Sequence, residues 1–130
     1  MTATDRAKEL TIVAATAADD KVGRDIVAID VSEHLVLTDV FLIVTANNER
    51  QVKAVVDAIE EAMFGEGVKP LRREGRGEAH WVLLDFGDVV VHVQMPEERV
   101  FYDLERLWKD CPRVELPATI GDSATAEQGS

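Results

Sequence analysis

The stretch from Trp81 to Gln94 constrains this chain more than any other. Two apolar runs, Trp81–Phe86 and Val89–Gln94, flank a Gly87-Asp88 dipeptide, the pattern of a tight β-hairpin with a two-residue turn. That turn fixes a register. Phe86 falls opposite Val89, Leu84 opposite Val91 and Val82 opposite Val93, so one face of the hairpin is wholly apolar and must be buried. On the other face Asp85 pairs with Val90, Leu83 with His92 and Trp81 with Gln94. A large aromatic among polar and ionisable groups marks a surface that meets something.

The remaining elements follow from spacing. Residues 5–20 read as an amphipathic helix capped by Thr4 or Asp5, with Ala7, Leu10, Thr11, Ala14, Ala17 and Ala18 on one stripe. Residues 25–31 are rich in β-branched side chains and predict a strand. Residues 41–46 predict a second strand, apolar on both faces and therefore central. Asn47 and Asn48 supply an N-cap for a helix that turns Val52, Val55, Val56, Ile59 and Met63 to the core and stops at Gly65. Residues 69–74 form a weaker strand, which Pro70 suits to a sheet edge. After the hairpin, a helix is expected from about Pro96 to Trp108, with Val100, Phe101, Leu104, Leu107 and Trp108 as its apolar face.

The order α-β-β-α-β-β-β-α predicts an α/β (α+β) fold, a mixed five-stranded sheet with helices mainly on one face. With the first, middle and last helices on that face, the opposite face is expected to stay open. At 130 residues the chain fits one folded unit over 1–114, followed by a disordered acidic tail over 115–130 whose last part has little apolar surface to bury.

Charge and composition exclude several functions. The net charge is −11, from 25 acidic and 14 basic residues. Only Glu115, Asp122 and Glu127 lie beyond the last base, Arg113, so the remainder still carries 22 acids against 14 bases. With no basic stripe to neutralise phosphates, direct nucleic-acid binding is disfavoured, and a basic protein surface is the better electrostatic match. No apolar run is long enough to span a bilayer, the N-terminus lacks a secretory signal, and the single Cys111 cannot form an intrachain disulfide. A cytoplasmic location is expected.

Motifs that spell chemistry resolve to local structure. Asp85-Phe86-Gly87 matches a magnesium-holding kinase triplet, but no glycine-rich loop, strand lysine or His-Arg-Asp triplet accompanies it. Asp85 and Asp88 make no convergent carboxylate pair, since one points across a sheet and the other sits at a turn tip. His34, His80 and His92 are isolated, which argues against zinc, and Cys111 reads as an inert thiol. No cofactor is expected. Arg72, Arg73 and Arg76 cluster in an acidic chain and are expected to pair with local acids such as Glu74 and Glu78, with a minor contact to a phosphate as the alternative. Both tryptophans and the only tyrosine fall within residues 81–108. Trp108 belongs in the core, whereas Trp81 and Tyr102 fall opposite the core sets of their elements, where aromatics serve interfaces.

The residues from Trp81 to His92, followed by Arg99, Phe101-Tyr102 and Leu104–Trp108, resemble the ribosomal silencing factor family, also called Iojap or DUF143. A second similar segment runs from Thr38 to Val52, with Val40, Ala46 and Asn48 where the family usually has Tyr, Gly and Ser. The resemblance implies a fold similar to the nucleotidyltransferase core and a non-enzymatic translation regulator. Such a regulator docks on a basic protein of the large ribosomal subunit, number fourteen in its series, and blocks joining of the small subunit during starvation. It also implies a homodimer when free. Carried onto this chain, the partner-facing set is Trp81, Asp85, His92, Tyr102, Glu105 and Arg106. The alternative is a small nucleotidyltransferase-like enzyme. It is weakened by the lack of a Gly-Ser in the folded part and of paired strand carboxylates.

Overall fold

The structure, a computed structural model, describes residues 2–120. Its elements run α1 (Asp5–Asp20), β1 (Arg24–Asp30), β2 (Val40–Thr45), α2 (Glu49–Gly65), β3 (Arg72–Glu74), β4 (Trp81–Asp85), β5 (Val89–Gln94), α3 (Pro96–Tyr102) and α4 (Leu104–Leu107). The strands form one mixed sheet in the order β1-β2-β5-β4-β3, in which β2 and β5 are parallel and all other neighbours antiparallel. The five-stranded mixed sheet expected from the sequence is the one observed.

Local chemistry sets the helix ends. The Thr4 hydroxyl accepts the Ala7 N–H at 3.1 Å, and the Asn48 side chain accepts the Gln51 N–H at 2.8 Å. Gln51 also reaches back, accepting the Asn47 N–H and donating to the Val22 carbonyl, which ties α2 to the α1–β1 turn. The buried stripe of α1 is mostly alanine and that of α2 is Val52, Val55, Val56, Ile59 and Met63. Small side chains on α1 allow it to lie close against α2, and both helices cover one sheet face. That face presents Ala28, Val40, Leu42, Val44, Val82, Leu84, Val91 and Val93.

The hairpin has the register expected. Trp81 pairs with Gln94, Leu83 with His92 and Asp85 with Val90. The Phe86 N–H donates to Val89 across the turn, the Asp85 carboxylate accepts the Gly87 N–H at 2.8 Å, and Gly87 takes a left-handed φ of 88°. Both sheet edges are managed. Residues 112–114 run along the outer side of β1, where Asp30 N–H donates to Pro112 and Val114 N–H to Ala28. On the other side β3 is short, exposed and charged, which discourages strand addition.

The segment 96–108 departs from expectation. It is not one helix. Asp103 adopts a left-handed φ of 39° and separates α3 from the single turn of α4. The rotation at that joint breaks the expected apolar face: Val100, Phe101 and Leu107 are exposed, and only Leu104 and Trp108 pack inward. They pack on the opposite side of the sheet from α1 and α2, closing a second cluster with Ile29, Ile43, Cys111 and Phe41. The face expected to be open is therefore partly roofed.

Leu116 and Ile120 pack against the larger core cluster, and residues 121–130 of the expected tail lie outside the described residues. No helix among the described residues is long and apolar enough to cross a membrane. The revised packing separates two leucines that the sequence pattern treats alike. Leu42→Ala should cost about 2–5 kcal/mol through cavity formation, and Leu107→Ala should stay within about 0.5 kcal/mol. Urea unfolding of both variants checks this.

Candidate partner-binding face

The side chains of the second sheet face form rows. Trp81, Leu83 and Asp85 on β4 stand beside Gln94, His92 and Val90 on β5, which in turn stand beside Thr45, Ile43 and Phe41 on β2. The roof of α3 and α4 covers the β2 side and reaches as far as Trp81.

Trp81 is the pivot. Its indole N–H donates to His92 Nδ1 at 3.1 Å, and its ring lies 4.5 Å from that of Tyr102, which meets Phe101 edge-on at 5.0 Å. Trp81 is half-buried, while Tyr102 is 50 % and Phe101 81 % exposed. Three aromatic rings thus form a continuous ledge from sheet to solvent.

His92 lies beneath that ledge rather than on the surface, at 5 % exposure. Phe41 packs edge-on against it at 5.1 Å. Burial holds its pKa down to about 4, so the ring is neutral at pH 7. Because Nδ1 accepts from Trp81, the proton sits on Nε2, which is buried with no hydrogen-bond partner among the described residues. His92 is placed to orient Trp81 from beneath rather than to present its own ring to solvent.

The other members of the expected set divide. Asp85 is used by the hairpin turn and approaches Arg72 at 4.0 Å. Glu105 accepts from Arg99 at 2.8 Å and lies 3.8 Å from Arg113. Arg106 is exposed and has no ion pair among the described residues. Trp81 and Tyr102 are brought together, and Asp85, Glu105 and Arg106 stand apart from them.

Arg99 is the residue whose place the pattern of charges does not reveal. Its guanidinium donates to Glu105, to the Thr45 hydroxyl at 2.9 Å and to the Asp25 carbonyl at 2.8 Å. This clasp pins α3, which buries no residue of its own, to β1 and β2. Phe101 escapes sequence reasoning because its exposure depends on the break at Asp103. The weak signal was an aspartate, a residue that tolerates the left-handed region, in mid-helix.

The arginine cluster is spent internally. Arg73 pairs with Glu60 at 2.6 Å, and Arg76 approaches both Asp57 and Glu60. The partners of these two come from α2 rather than from Glu78, while Arg72 does lie near Glu74. Burial pushes the Cys111 thiol up, reinforced by the carboxylates of Asp110, Asp30 and Glu33, which opposes thiolate chemistry. Among the described residues no three His, Cys, Asp or Glu side chains gather as a metal-binding group.

The profile of the family described as ribosomal silencing factor during starvation matches residues 4–130. The ribosomal silencing factor of Halalkalibacterium halodurans is 42 % identical over 113 residues, covering 87 % of this chain and 97 % of the relative. That of Bacillus subtilis is 42 % identical over 109 residues, covering 84 % and 92 %. A crystal structure of a Chromobacterium violaceum protein superposes with a TM-score of 0.75 at 38 % identity, covering 78 % of this chain and 84 % of that one.

Burial of His92 has a thermodynamic consequence. The unfolded imidazole titrates near 6.5 and the folded one near 4, so between those values the unfolded chain binds more protons and acidification favours unfolding. This group alone should cost about 2 kcal/mol of stability between pH 7 and pH 5. Denaturant unfolding at both pH values should show that increment in the wild type and lose it in His92→Gln.

Proposed function

The chain belongs to the ribosomal silencing factor family, and from that premise we propose that it binds the large ribosomal subunit and sterically prevents the small subunit from joining. The partner is a basic protein of the large subunit, number fourteen in its series, and the effect is lower translation during starvation. The protein acts in the cytoplasm as a regulator without chemistry of its own, and it pairs with a second copy when free.

One observation carries the reading: the ledge of Trp81, Tyr102 and Phe101, aromatic and solvent-facing, on a chain of net charge −11. Aromatic side chains of this kind supply the few large increments that hold an interface together. The surrounding negative field speeds encounter with a cationic surface and disfavours bare phosphate backbones. Occlusion asks nothing more of the protein than affinity and bulk. Held at the joining face, its sheet and two helix layers occupy space that the small subunit requires.

The test is co-sedimentation with purified large subunits, followed by a subunit-joining assay. Tyr102→Ala and Phe101→Ala, whose side chains are exposed, should each weaken binding by about 1–3 kcal/mol with no change in fold. Trp81→Ala should do the same and also loosen the fold, because it removes the donor to His92. Wild-type binding by all three variants would refute the assignment of this face. Unimpaired joining with saturating wild-type protein would refute the function.

A further inference from the structure

Beside the aromatic ledge lies a cleft of about 420 Å³ whose walls include Trp81, Tyr102, Glu78, Glu98, Gly77 and His80. Glu98 and Tyr102 stand one helical turn apart on α3, so they line the same side. Glu78 comes from the loop that leads into β4. That loop is held close by Gly75, where a Cβ would come within 2.0 Å of the Trp81 carbonyl oxygen. The cleft is therefore built by two separate parts of the chain, 75–81 and α3, and its loop wall is fixed by backbone packing.

Its carboxylates are not among those neutralised by a neighbouring arginine. Asp57, Glu60, Glu66 and Glu105 each face an arginine. Glu78 and Glu98 have no cationic partner among the described residues, and His80 is turned toward Glu49 at 3.5 Å. Two unneutralised carboxylates thus share a recess with two aromatic rings. An anion is repelled there, and a neutral apolar group would desolvate the carboxylates without return. A divalent ion lacks the oxygen ligands it needs. A cationic side chain satisfies every wall at once: its charge meets the carboxylates and the ring faces, and its aliphatic stem lies along the aromatics.

We propose that the cleft between the Glu78 loop and α3 receives an arginine or lysine side chain of the protein partner, with Glu78 and Glu98 as its counter-charges and Trp81 and Tyr102 as its aromatic wall. This rests on the docking reading above and adds the anchor that gives the acidic face its specificity. Glu78 and Glu98 are absent from the partner-facing set read from the sequence.

The test compares Glu78→Gln/Glu98→Gln with a control, Glu9→Gln/Asp20→Asn, that removes the same charge from α1 on the other side of the sheet. Binding to large subunits should weaken about tenfold or more in the cleft variant at ~0.1 M salt, with the gap narrowing near 0.5 M as the charges are screened. The control should stay within about twofold of wild type at each salt. An independent arm uses no ribosome: titration with N-acetyl-arginine amide while observing the Trp81 indole N–H resonance. The signal should move in the wild type, stay still in the cleft variant, and stay still with the uncharged citrulline analogue. Equal weakening in both double variants would reduce the acids to general steering and overturn the cleft. Wild-type binding by the cleft variant would overturn it while leaving the docking face standing. If wild type binds no large subunit but the arginine probe shifts Trp81, the cation site holds and the ribosomal partner falls; no response in either arm sinks both.

Discussion

Everything on the second sheet face depends on β5 being buried on both sides. It lies in the middle of the sheet, parallel to β2 and antiparallel to β4, and all six of its residues are buried. A strand of that kind must carry apolar groups toward the two long helices, and Val89, Val91 and Val93 do so. Toward the other side it carries Val90, His92 and Gln94, so polar atoms are forced beneath a covering layer. The fold answers by roofing that side with Phe41, Leu104 and Trp108 and by using Trp81 to satisfy His92 Nδ1. A neutral imidazole is the stable outcome at pH 7, because burial in that layer penalises the charged form.

The aromatic ledge is the outward end of the same arrangement. Trp81 is oriented from below by His92 and from the side by Tyr102, and α3 is fastened by Arg99 rather than by buried apolar surface. A rigid, pre-oriented ring loses little freedom on binding, so more of its contact energy is available for affinity. The division of labour follows: buried groups fix geometry, Arg99 fixes the helix, and the exposed rings with nearby unpaired carboxylates are left facing solvent for the proposed partner. Such a surface suits a protein that works by occupying a site.

Much of this was legible in the sequence, for identifiable reasons. The register of the hairpin followed from Gly87-Asp88 because a two-residue turn leaves one pairing. The stripes of α1 and α2 followed from helical spacing, and Thr4 and Asn48 announced their starts. What failed was the segment after Pro96. Continuous periodicity placed Val100, Phe101 and Leu107 in the core, but one left-handed residue at Asp103 rotates the next turn, and nothing local enforces that conformation. His92 was assigned to the correct face and to the wrong depth. Face follows from strand alternation, whereas depth depends on Phe41, which reaches it from a distant part of the chain and is itself backed by Trp108. The arginine cluster was expected to pair locally, and for Arg73 and Arg76 α2 supplies the acids instead, a tertiary fact that spacing does not encode.

The central claim is that this protein meets the large subunit through the sheet face roofed by α3 and α4 and not through its α1–α2 layer. Hydrogen–deuterium exchange of the protein, alone and bound to large subunits, addresses it directly. The account predicts slowed exchange in residues 78–85 and 96–108 with α1 and α2 unchanged. Protection confined to the outer faces of α1 and α2 would contradict it.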